Sequence, residues 1–67
     1  MINVYVNGEK RALADGCTVA GLLEEFKLQP MRVAVELNQQ IVPKRLYAST
    51  ALQAEDRVEI VTFVGGG

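Results

Sequence analysis

Histidine is absent from this chain of 67 residues and cysteine occurs once, at position 17. Their scarcity excludes a Ser-His-Asp or Cys-His pair, a disulfide and a cysteine–histidine zinc knuckle. Autonomous catalysis is therefore not expected, nor is a metal or cofactor held by the chain itself. Hydrophobic residues make up 49%, but they nowhere form the run of about 20 that a membrane span needs. Seven Lys and Arg are scattered among eight carboxylates, for a net charge of −1. Nucleic-acid binding requires clustered phosphate contacts, which this distribution does not offer, and the basic pairs Lys10-Arg11 and Lys44-Arg45 read as solvated turn and strand residues. The N-terminus enters a strand pattern at once, without the charged and apolar regions of a signal peptide. With no export signal and no disulfide, the cytoplasm is the expected compartment.

What is present reads as one small domain. Ile2-Asn3-Val4-Tyr5-Val6 alternates, and Asn7-Gly8 after it suits a type I′ turn, whose two central residues both need φ > 0. A second strand is predicted from Glu9 to about Ala14, with Leu13 inward and Asp15-Gly16 breaking it. Thr18 is placed to cap a helix in which Val19, Leu22, Leu23 and Phe26 recur on one face. Gln29-Pro30 ends that segment, so the spacing predicts a helix over Val19 to Leu28. Gly21 lowers its intrinsic propensity by about 1 kcal/mol relative to Ala, so packing on a sheet must hold it. Arg32 to Asn38 alternates with Val33, Val35 and Leu37 on one side, Asn38-Gln39-Gln40 turns the chain, and Ile41-Val42 is a short strand ended by Pro43. Residues 44 to 50 are irregular, with Leu46 and Tyr47 as anchors onto the core. Glu55-Asp56 makes the last turn before the strand Val58 to Val64.

If Val58 and Ile60 face the core, then Glu59, Val61 and Phe63 face outward by the period of two, and Tyr5, opposite in sense to Val4 and Val6, is placed with them. Two readings stand: these residues form a docking surface, or the irregular segment covers Val61 and Phe63. Beyond them come Gly65-Gly66-Gly67. A terminal glycine has no Cβ, so its carboxylate can be threaded into a narrow partner cleft. Composition alone equally allows a linker remnant, but the glycines follow directly on a complete strand and helix pattern.

The order hairpin, helix, strand, short strand, long strand, with the glycine terminus, resembles the sulfur carrier proteins, most closely the ThiS family of thiamine biosynthesis. The match is carried by Asn7-Gly8, Thr18-Val19 leading into Leu22-Leu23, the run Val35 to Pro43, and Glu59 to Gly67. The fold it implies is α+β: a ubiquitin-like β-grasp with a mixed four- to five-stranded sheet and one helix packed across it. That domain spans residues 1–64, and a flexible tail spans 65–67. Two departures stand out: Glu55-Asp56 replaces a frequent Gly-Asp, and the tail has three glycines where two are the usual minimum.

The resemblance implies that a ubiquitin-activating-like adenylyltransferase, using MgATP, joins the Gly67 carboxylate to AMP. A cysteine-derived persulfide then supplies sulfur, and the thiocarboxylate enters thiazole synthase, with Gly65 and Gly66 giving the tail its slenderness. The chain would be a protein co-substrate, monomeric when free. Cys17 has only a helix N-terminus to lower its pKa and is taken as incidental. The alternatives are a carrier like the small subunit of molybdopterin synthase, which shares fold, tail and thiocarboxylate, and a ubiquitin-like protein modifier.

Overall fold

The computed structural model of the chain describes residues 1–63. Asn7 and Gly8 take φ of 51° and 85°, the left-handed pair of a type I′ turn, and fold β1 (Ile2–Val6) antiparallel onto β2 (Glu9–Leu13). After α1 (Val19–Glu25) come β3 (Val33–Leu37), β4 (Gln40–Ile41) and β5 (Arg57–Thr62). The turn into β4 repeats the first, with Asn38 and Gln39 at φ 51° and 71°. The strand order is β2-β1-β5-β3-β4. The last strand in sequence is thus the middle of the sheet, parallel to β1 and antiparallel to β3. This is the five-stranded β-grasp that the sequence led us to expect.

One face of the sheet is closed by α1. Val4, Val6, Val33, Val35, Val58 and Ile60 meet Val19, Leu22 and Leu23 in a single core that also takes in Leu13, Val42, Tyr47 and Leu52. The helix is shorter than its apolar stripe. It stops at Glu25 because Lys27 turns left-handed (φ 59°), and the amides of Lys27 and Leu28 donate back to the Glu24 and Leu23 carbonyls at 3.0 and 2.9 Å. That pair of bonds is the Schellman motif, and it swings half-buried Leu28 onto the core. Burial of Leu28 favours the turn even though Lys at the left-handed position costs about 1–2 kcal/mol.

The irregular segment after Pro43 caps the helix. The Val19 and Ala20 amides, left over at the helix start, donate to the Thr50 and Tyr47 carbonyls at 3.0 and 2.9 Å. The next amide, Gly21, donates to Thr18 Oγ1 at 3.1 Å. Tyr47 also drops its ring into the core, only 3% exposed. Glu55, at the turn before β5, sits at φ 72°. This accounts for glycine being the frequent choice there in the resembling family.

Two asparagine side chains pin β5. Pairing with β1 ends at Val6↔Val58, and beyond it the Asn7 amide replaces a missing strand: Nδ2 donates to the Ile60 carbonyl at 3.1 Å and Oδ1 accepts from the Ile60 amide at 2.7 Å. From the other side, Asn38 Oδ1 accepts from the Arg57 amide at 2.9 Å, and its Nδ2 donates to Asp56 Oδ1 at 3.0 Å. Asn7→Ala is expected to cost about 2 kcal/mol, because it strands both polar groups of Ile60 and sets Ala, which tolerates positive φ less well than Asn, in the turn. Urea unfolding measures this, and a loss below about 0.5 kcal/mol would show that water replaces the amide without penalty.

Candidate functional site

The face of the sheet turned away from α1 has no covering element among the described residues. Its rows follow from the register. Tyr5 of β1 pairs with Arg57 of β5, and the Arg57 guanidinium lies 5.5 Å from the centre of the Tyr5 ring. One step along, Glu59 stands opposite Glu36, which in turn stands opposite Ile41 of β4. The next row sets Val61 opposite Ala34. Ile41 and Val61 are 74% and 59% exposed, so the irregular segment does not cover the outer side of β5.

Past the end of β5, the Phe63 amide donates to the Arg32 carbonyl at 2.9 Å, and its ring is 54% exposed. Lys44 crosses over it, with Nζ 5.4 Å from the ring centre and 3.2 Å from the Val33 carbonyl oxygen. Phe63 forms one wall of a cleft of about 460 Å³, opposite the Schellman turn at Lys27 and Leu28 and beside Arg32. The rim of this cleft is cationic.

The expected site residues are therefore only partly brought together. Glu59 and Val61 are neighbours on the open face, and Phe63 continues from them to the cleft. Tyr5 lies on the same face in the row before Glu59, engaged by Arg57 and bordered by Lys10, and two rows from Val61. A side-of-sheet argument gives the correct face but not the position along it, because β1 runs parallel to β5 and stops pairing at Val58. Gly65, Gly66 and Gly67, where the chemistry is expected, lie outside the described residues, as does Val64. Ala34, Glu36 and Ile41 were missed as members of the face. The alternation of the Arg32 to Asn38 run already placed Ala34 and Glu36 opposite Val33, Val35 and Leu37.

Cys17 stands at the N-terminal end of α1, whereas the cleft lies at its C-terminal end. Its Sγ is 3.5 Å from the Thr18 carbonyl and would be 3.3 Å from a Cβ at Gly21. The absent side chain at position 21 thus makes room for the sulfur. Burial, and secondarily the Glu25 carboxylate, push the thiol pKa up, which disfavours the thiolate that sulfur chemistry needs. Among the described residues, no three acidic or cysteine side chains are grouped to hold a metal, and no helix is long and apolar enough to cross a membrane.

The sequence model of the ThiS family matches residues 4–67, the terminal glycines included. The chain belongs to the ThiS family. Among its relatives is a thiazole synthase of Paramagnetospirillum magneticum, 44% identical over 66 residues, which are 98% of this chain and 20% of that one. The chain thus spans a fifth of that longer relative. The sulfur carrier protein ThiS of Escherichia coli is 30% identical, with 98% of this chain and 100% of that one covered. The crystal structure of the thiamine biosynthesis protein ThiS from Geobacter metallireducens superposes with a TM-score of 0.83 at 33% identity, covering 98% of this chain and 100% of that one. In this ThiS-family chain, then, the sheet order and the single helix are those of a solved family member. The central strand leads to the glycines included in the family match.

Proposed function

We propose that this chain is the sulfur carrier for the thiazole ring of thiamine and that the Gly67 carboxylate is its reacting group. The observation that carries the reading is that the ThiS family match runs through to residue 67, so the glycine terminus belongs to the family pattern. A carboxylate is a poor acyl donor because its oxygen leaves badly. A ubiquitin-activating-like adenylyltransferase would therefore first join it to the α-phosphate of MgATP, expelling pyrophosphate. A cysteine-derived persulfide then attacks the acyl carbon through its terminal sulfur and expels AMP. A thiol cleaves the resulting S–S bond, leaving a C-terminal thiocarboxylate and a disulfide. Thiazole synthase takes the sulfur from that tail. The chain is the carried substrate in each step, and MgATP is bound by the partner rather than by the carrier. The enzymes recognise the folded domain through Glu59, Val61 and Phe63, which lead from the open face to the tail. The compartment is the cytoplasm, and residues 65–67 act as a slender extension of the domain.

The test is the intact mass of the protein expressed with its natural terminus and the two enzymes. A species heavier by the difference between sulfur and oxygen, trapped by a thiocarboxylate-selective electrophile, is expected for the native chain and equally for Cys17→Ala. Trapping matters because simple oxidation adds nearly the same mass. Loss of the species in Cys17→Ala would move the sulfur from the terminus to the thiol. Conjugates to other proteins, surviving denaturation in place of the thiocarboxylate, would make the chain a modifier.

A further inference from the structure

Glu36 and Glu59 are directly opposed on adjacent antiparallel strands in the middle of the open face. Like charges in that position disfavour a sheet, and neither carboxylate is in a salt bridge among the described residues. The ion pairs among the described residues are Met1 with Asp15 and Arg11 with Glu9. Arg57, the cation nearest along β5, is instead held over Tyr5. The carboxylate pair is bordered by apolar side chains, Ile41 beside Glu36 and Val61 with Ala34 in the next row. Water is excluded from apolar surface when it is covered, and two carboxylates covered along with it need a cation.

We propose that thiazole synthase docks on this face by seating one arginine between Glu36 and Glu59, with apolar side chains around it resting on Ile41, Val61 and Ala34. The inference rests on the carrier reading and adds the chemistry of the partner's surface. A guanidinium has donors enough to bridge two carboxylates at once, which an ammonium does less well. The relative in which a domain like this one makes up 20% of a thiazole synthase supports that enzyme as the occupant. The opposed carboxylates gain a shared counter-charge in the complex, so the same two residues tie recognition to the partner's charge.

The experiment titrates the carrier against purified thiazole synthase of the same organism by calorimetry, comparing the native chain with Glu36→Gln/Glu59→Gln. Binding is expected to weaken at least about tenfold at low salt, and a gap should persist at about 1 M salt, because a covered ion pair is screened much less than an exposed one. The urea midpoint of the double variant should equal or exceed that of the native chain, which excludes misfolding as the cause. Glu24→Gln/Glu25→Gln removes the same charge from the exposed side of α1 and should leave binding unchanged. Equal binding by the Glu36/Glu59 variant, or equal weakening by both double variants, would overturn the proposal. Native carrier that fails to bind thiazole synthase would overturn both this and the enzyme's place in the carrier reading. The mass test of the terminus needs neither glutamate and separates the two failures.

Discussion

Deletion of Gly67 is expected to lower thiocarboxylate formation by at least about 10²-fold while leaving the folded domain and its binding to partner enzymes unchanged. The shortened chain still ends in a glycine carboxylate, so the chemistry of the group is the same. What changes is reach. One residue of extended chain spans about 3.3–3.6 Å, and a misplacement of about 1 Å at a reacting centre already costs on the order of 10²-fold. The rate of trapping with a thiocarboxylate-selective reagent, against a circular dichroism melt of the same sample, measures both halves of the prediction. A rate within about threefold of the native chain, only about 0.65 kcal/mol in barrier, would show that the partner's tail channel accepts variable lengths. The third glycine would then be dispensable.

Tyr47→Ala is expected to cost about 3–5 kcal/mol, the range for removing a buried aromatic ring. A chain of this length has about 3–10 kcal/mol in total, so the variant should be largely unfolded or close to it at 37 °C. The loss has two parts. The ring leaves a hole in the core between the helix and the sheet, and the segment it anchors loosens its hold on the first amides of α1. Urea unfolding followed at the helix signal measures the sum. A loss below about 1.5 kcal/mol would mean that backbone bonds to Val19 and Ala20 keep the segment docked without the ring. Tyr47→Phe separates ring from hydroxyl and should cost about 1 kcal/mol. Burial pushes the hydroxyl pKa up, partly offset by a hydrogen bond from the Val35 backbone. A raised phenol pKa stabilises the fold below the unfolded value near 10 and loses that contribution as pH rises through the folded one. Tyr47→Phe should therefore soften the alkaline decline.

Much of this fold was legible because each element has a local cause. Asn7-Gly8 can hardly be other than a hairpin turn, and the spacing of Val19, Leu22, Leu23 and Phe26 admits one helix face. The helix end was misplaced because Leu28 fits the apolar period equally well as a helical residue or as the hydrophobic partner of a Schellman turn, and tertiary burial decides between them. The open face was half legible. Alternation marked Glu59 and Val61 as outward, but grouping Tyr5 with them required knowing where the parallel strand stops pairing. That is a long-range fact absent from local pattern. Asn7 and Asn38 were legible as turn formers and illegible as clamps, since their partners Ile60 and Arg57 are distant in sequence.

The central position of β5 has a mechanical consequence. A partner that drew on the terminus would load a strand paired to β3 along its length and to β1 at its start, so several hydrogen bonds would share the load rather than give way one at a time as in peeling an edge. Both neighbours of β5 share it, and the asparagine amides act as rivets near its start and middle. The edge strands β2 and β4 can fray without slackening this line. An enzyme that took up the tail, as proposed above, would pull on something that transmits force to the whole domain.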